Sequence, residues 1–184
     1  MHAIHEDIEE VLLRPEQIQA RLDALAQDIT GAYAGKELTV IGVLTGSVMF
    51  IADLLRRLPL QLRLDYIGVS SYHGATRMTG ELIFTKALRL DVTGRDVLVL
   101  DDILDTGRTL VKIREIIRQH SPRSLRFGVF LEKDVPHGED FVADYVAFHI
   151  PNKFVVGYGL DYRECYRNLP YVGTLKPAVI ASTP

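Results

Sequence analysis

A single cysteine, Cys165, stands among the 184 residues, so no internal disulfide staples this fold, and such usage fits a reducing compartment. Cationic excess is missing as well: 21 Lys and Arg face 24 Asp and Glu, for a net charge of −3. The two signs are interspersed, leaving no basic stripe of the kind that grips nucleic-acid phosphates. No run approaches the roughly 20 apolar residues of a membrane-spanning helix. The opening MHAIHEDIEEVLLRPEQ is acidic and lacks the basic and then apolar pattern of a secretory signal. His2 and His5, alone near a terminus, do not make a metal site. Repeats and low-complexity tracts are absent. Together these gaps predict a cytoplasmic protein with neither nucleic acid nor membrane as partner. What remains, 47% apolar and 24% charged, is the composition of one ordinary domain with a substantial core.

Pattern then places the elements. Pro15 suits a first helical turn, and Ile18, Leu22, Leu25 and Ile29 recur at helical spacing until Gly31 and Gly35. LTVIGVL (38–44) reads as a strand, TGS as a turn and VMFIADLLRRL as a helix. LQLRLDYIGVSSY (60–72) and LIFTKALRL alternate as strands; the nine residues HGATRMTGE between them predict a hairpin arm, a lid over residues 70–80. RDVLVLDD, SLRFGVFLE (124–132), YVAFHI and FVVGYGL read as further strands, with the helix TLVKIREIIRQH after the first. Strands alternating with helices predict an α/β fold, a mostly parallel sheet covered by helices on both faces. In such sheets ligands sit beyond the carboxyl ends of the strands. The loops TGS, DDILDTGRT, EKD and GLDYRE are therefore the places to look.

VLVLDDILDTGRTL (97–110) is the informative stretch. An apolar strand runs into Asp101, Asp102 and Asp105, and Thr106-Gly107-Arg108-Thr109 opens a helix. A helix cap needs one acid there, not three. Two adjacent carboxylates repel unless a cation or hydroxyl donors occupy the site. The glycine pattern of a dinucleotide fold and the Gly-Lys of a Walker loop are both absent. The acids of an aspartyl-phosphate hydrolase or a receiver domain are spaced or placed differently. A ligand carrying both a phosphate and a ribose resolves the conflict: N–H groups and hydroxyls at the helix start hold the phosphate, and the acids face the sugar hydroxyls or a Mg²⁺.

This stretch resembles the phosphoribosyl-pyrophosphate (PRPP) signature of the type I phosphoribosyltransferases. IPNKFVVGYGLDYRECYRNLPYVG (150–173), GVLTGSVMFIADL and LDYIGVSSYHGATRMTGEL are similar to the hypoxanthine–guanine branch of that family, so the likeness spans roughly residues 38 to 175. It implies one domain over 1–184, with an N-terminal segment at 1–14, the lid and a purine-binding hood at 150–175. It also implies a transferase that makes IMP or GMP from PRPP and hypoxanthine or guanine, with Mg²⁺, as a homodimer or homotetramer. A xanthine-preferring enzyme and a PRPP-sensing regulator without catalysis are the alternatives.

By the same resemblance Asp105 is the general base and, with Thr106, Gly107, Arg108 and Thr109, the 5′-phosphate loop. Asp101 and Asp102 face ribose and metal; Asp161 binds a second metal beside the purine. Thr45, Gly46 and Ser47 present backbone N–H groups to pyrophosphate, joined by Arg167. Lys133 donates to the 6-oxo group, Phe154 stacks on the base and Val155 reads its edge through backbone groups. Ser71 and Tyr72 belong to the lid. The family often carries a basic residue where Thr45 stands and a glutamate where Asp101 stands.

Overall fold

The computed structural model describes residues 4–71, 82–135 and 141–181. A turn of 3₁₀ helix at Ile4–Asp7 leads into strand β1 (Ile8–Leu13), followed by helix α1 (Pro15–Tyr33), β2 (Leu38–Leu44), α2 (Val48–Leu55), β3 (Leu62–Ser71) and β4 (Leu82–Lys86). Then come β5 (Asp96–Leu104), α3 (Arg108–Gln119), β6 (Ser124–Lys133), β7 (Tyr145–Ile150), β8 (Val172–Leu175) and a short α4 (Pro177–Ala181). Six strands form the central sheet in the order β4-β3-β2-β5-β6-β7. All neighbours run parallel except β4, which returns antiparallel on β3 with Ser71 opposite Leu82. That pairing fits the expected hairpin; Tyr72 and the rest of the lid up to residue 80 lie outside the described residues.

Both faces of the sheet are buried, which is why its inner strands are continuous apolar runs. On β5, Leu98 and Leu100 join the core beneath α1 and α2, whereas Val97 and Val99 join the core beneath α3. This is the period-two alternation of a strand. α1 buries Ile18, Leu22, Leu25, Ala26, Ile29 and Tyr33 along one stripe. Each such side chain contributes about 1.5–3 kcal/mol on leaving water, more than helix propensity supplies over the same length. Its start is fixed by Pro15 and by Gln17, whose side-chain oxygen accepts from the Arg14 N–H at 2.9 Å.

Residues 8–13 of the N-terminal segment form a strand: β1 pairs antiparallel with β8, a second, two-stranded sheet. One expectation needs correction. The apolar run 154–160 is not a strand. Gly157, Tyr158 and Gly159 all take positive φ (96°, 50° and 102°), and the chain doubles back there through a Gly157–Leu160 backbone pair.

The connections fix where a ligand belongs. From β2 the chain crosses by way of α2 to β3 on one side, and from β5 it crosses by way of α3 to β6 on the other. The order therefore reverses between β2 and β5, and the crevice beyond their carboxyl ends is the natural binding place.

Candidate active site

A cleft of about 880 Å³ opens at that reversal. One wall is the β5–α3 turn, Asp101 to Leu110; another is Thr45 and Gly46 after β2; the third is Phe154 with Asp161, Tyr162, Arg163, Glu164 and Arg167. Val43, Leu44 and Val69 supply apolar surface.

The β5–α3 turn depends on Gly107, which holds φ +83° immediately before α3, a conformation that costs a side-chain-bearing residue about 1–2 kcal/mol. α3 starts at Arg108, and the first bond back into the turn is Val111 N–H to the Gly107 carbonyl at 2.9 Å. The N–H groups before Val111 have no partner within the helix and sit at the positive end of its dipole, an arrangement made for a phosphate.

Asp101 is buried, and its Oδ1 accepts from the Asp102 N–H at 2.9 Å. Burial pushes its carboxyl well above the ordinary range, and the Asp102 charge pushes it further. Burial raises Asp102 too, against the counteracting Asp101 hydrogen bond and the Arg167 charge. Two acids in this state accept hydrogen bonds from sugar hydroxyls, or a cation. Among the described residues no three His, Cys, Asp or Glu side chains converge as a ready metal cage. Mg²⁺ commonly takes only one or two carboxylates and completes its shell with water and substrate phosphate oxygens. The separate positions of the acid pair and Asp161 fit that mode of binding.

Gly46 and Gly159 hold two walls in contact. A Cβ on Gly46 would lie 1.6 Å from Asp102 Oδ2, and one on Gly159 would lie 1.9 Å from the Gly46 carbonyl oxygen. At Gly159 a side chain would run into backbone, and at Gly46 it would have to displace the Asp102 carboxylate. The Ser47 side chain is buried and its hydroxyl donates to the Val43 carbonyl, which leaves the backbone as its route to a ligand. Thr45 and Gly46 line the cleft.

Arg167 is held on the cleft rim by Asp161 and Glu164, each at 2.9 Å, and donates to the Gly159 carbonyl at 2.9 Å. Phe154 is 53% exposed and meets Tyr162 edge to face at 5.8 Å, leaving ring surface open for stacking. Val155 turns its side chain into the core, so only its backbone is available to a ligand. Lys133, the last residue of β6, does not line the cleft itself; its ammonium sits 2.7 Å from Asp105 Oδ2. The ends of adjacent strands bring these two together although they stand 28 residues apart. The Ser71 backbone ends β3, and Tyr72 is outside the described residues. Tyr162, Arg163 and Glu164 were not singled out from sequence. Their place between Asp161 and Arg167, two site residues six apart, was the available signal.

A parallel sheet with a phosphate-type helix start, an acid pair and a facing arginine is the site architecture of a phosphoribosyltransferase. The model of the phosphoribosyl transferase domain matches residues 10–163, and the chain belongs to that family. It is 46% identical over 179 residues to the hypoxanthine-guanine phosphoribosyltransferase of Staphylococcus aureus, covering 97% of this chain and all of the relative. A solved hypoxanthine phosphoribosyltransferase from Staphylococcus aureus superposes with a TM-score of 0.91 at 47% identity, over 97% of this chain and 98% of that one. A hypoxanthine-guanine phosphoribosyltransferase from Bacillus anthracis does so at 0.85 and 37%, over 92% and 98%. The chain is thus a transferase of the phosphoribosyl class, with the fold expected from its sequence. No described helix is long and apolar enough to cross a membrane.

Proposed function

We propose that this enzyme moves the 5-phosphoribosyl group of PRPP to N9 of hypoxanthine or guanine, forming IMP or GMP and pyrophosphate. One observation carries the reading: the helix start at 106–109, the Asp101–Asp102 pair and the open face of Phe154 share a single cleft. A nucleotide needs those three contacts, for phosphate, sugar and base.

The Lys133–Asp105 contact suits one edge of a 6-oxopurine, where the oxo group and N7 are neighbours. Lys133 donates to the oxo oxygen and Asp105 accepts the N7 proton. As N9 bonds to C1′ of the ribose, the C1′–oxygen bond to pyrophosphate breaks and the N7 proton passes to Asp105. General-base help of this kind is typically worth about 10²–10⁴-fold. Arg167, with the backbone of Thr45 and Gly46, stabilises the charge leaving on pyrophosphate. Asp101 and Asp102 would hold one Mg²⁺ and Asp161 a second, and the ions would add to the neutralisation of the leaving charge. Phe154 stacks on the base, a contact worth about 1–3 kcal/mol. Adenine presents an amino donor where Lys133 also donates, and neither group accepts. We read the enzyme as a cytoplasmic homodimer or homotetramer, which light scattering tests.

Steady-state assays with PRPP, Mg²⁺ and each of hypoxanthine, guanine, xanthine and adenine test the proposal. Turnover of hypoxanthine or guanine, with adenine refused, is expected. Turnover of xanthine alone would reassign the base, and turnover of none would leave a PRPP-binding regulator. In Lys133→Ala, kcat/KM for the 6-oxopurines falls about tenfold or more, the loss of a charge-assisted hydrogen bond. An equal fractional loss for any residual adenine use would mean that Lys133 does not read the oxo group.

A further inference from the structure

Val155, Tyr158 and Leu160 pack into the main core, but the hydrogen bonds of the wall that carries Phe154, Asp161 and Arg167 stay mostly within it. Val156 pairs with Gly173, Gly157 with Leu160, Tyr158 N–H with the Leu169 carbonyl and Gly159 N–H with the Arg167 carbonyl. Its side chains also reach within the segment or towards the sheet formed by the chain ends: Lys153 to Glu10, and Tyr166 to Asp7. Among the described residues one side-chain hydrogen bond joins this wall to the helices of the main body. The Tyr158 hydroxyl donates to Asp53 Oδ2 at 2.7 Å.

Both partners are well placed to transmit position. Tyr158 sits at the middle of the reversal, three residues after Val155 and three before Asp161. It takes φ +50° although it is not glycine, and it buries its ring against Phe130 at 4.7 Å between centroids. A left-handed tyrosine is uncommon and persists only where its surroundings hold it. Asp53 lies on α2, the helix that begins immediately after Thr45-Gly46-Ser47, so it moves with the second wall. Gln19 of α1 and Arg56 also donate to its carboxylate. Burial works to raise the Asp53 carboxyl, but the hydrogen bonds from Tyr158, Arg56 and Gln19 outweigh it and hold the group ionised.

We propose that Tyr158 and Asp53 form a clamp that sets the spacing between the pyrophosphate wall, Thr45 and Gly46, and the wall bearing Phe154, Asp161 and Arg167. They are positioning residues that touch no substrate. The Gly46–Gly159 contact allows the two walls to approach, and the clamp fixes where they stop. The role rests on the proposed transfer from PRPP, whose two products occupy those two walls.

Tyr158→Phe keeps the ring on Phe130 and removes only the hydroxyl; Asp53→Ala removes its acceptor. Each is expected to raise KM for both PRPP and the purine about three- to tenfold, the scale of one lost hydrogen bond. The double variant should be no worse than the worse single one, because both changes break the same link. Tyr145→Phe, which removes a hydroxyl bonded to Arg126 at 2.9 Å at the amino end of β7, should leave both KM values as in the wild type. A purely structural role for Tyr158 would lower the melting temperature or the active fraction and leave KM unchanged, and that result overturns the clamp. Additive losses in the double variant would overturn it too. Should Asp53→Ala fail to fold, Tyr158→Phe against Tyr145→Phe decides alone. A wild type that turns over none of the bases would count against the proposed reaction, not the clamp. Calorimetric binding of PRPP with Mg²⁺ then replaces KM, with the same three- to tenfold weakening expected of Tyr158→Phe and unchanged binding overturning the clamp.

Discussion

Asp65 and Asp101 are buried aspartates on strands of one sheet, and the fold treats them oppositely. Asp65, in the middle of β3, is wrapped by donors. The N–H groups of Tyr66, Arg89 and Leu90 reach it at 2.8, 2.6 and 2.8 Å, and the Lys86 ammonium at 3.1 Å. Burial alone would raise its carboxyl; these bonds prevail and bring it down to about 2. It ties the chain leaving β4 back onto β3. Asp101, near the carboxyl end of β5, has the Asp102 N–H as donor and a second carboxylate beside it. Among the described residues nothing satisfies it as Asp65 is satisfied. A buried acid that holds structure is given its partners by the chain, whereas one that binds ligand keeps capacity in reserve and costs stability until the ligand arrives. The same division separates the middle of the sheet from its carboxyl ends.

The largest effect expected within the ligand-facing set is at Asp105. Asp105→Asn should lower kcat by about 10²-fold or more, with PRPP binding retained; unchanged kcat would remove Asp105 from the base role. Next comes the direct contrast. Asp65→Asn should lower stability by about 2–4 kcal/mol in urea unfolding, through donors left unmatched in the core, with KM close to wild type. Asp101→Asn should do the reverse, leaving stability equal or higher while the PRPP KM rises about tenfold. Equal destabilisation by both would erase the distinction.

A smaller effect separates them by pH. The folded value of Asp65 lies below its unfolded value of about 3.9, so its contribution is complete above that pH and disappears as pH falls through about 2. Asp101 has a folded value above the unfolded one. Its ionisation opposes folding, so the ligand-free protein gains stability as pH falls from neutral towards about 4. In urea midpoints against pH, Asp101→Asn should flatten that rise, and Asp65→Asn should flatten the loss in more acidic solution.

The β5–α3 turn was legible in the sequence because everything it needs is local: an apolar strand, three acids, a glycine for the left-handed position and a helix start within fourteen residues. The parallel strands were legible because burial on both faces writes itself as unbroken apolar runs. What failed to show depends on distant partners. IEEVLL carries too many acids to read as a strand, and its partner lies more than 150 residues away. FVVGYGL looks extended by composition, but two glycines and Tyr158 turn it back. Lys133 and Asp105 are both placed at the site by resemblance, but their meeting at 2.7 Å comes only from adjacent strand ends.

The most direct test is a crystal structure with IMP or GMP bound. The phosphate should lie on the N–H groups of residues 106–109, the ribose hydroxyls against Asp101 and Asp102, and the base on Phe154 with its 6-oxo oxygen at Lys133. A nucleotide bound outside this cleft, or bound in it with its phosphate away from the start of α3, would contradict the account.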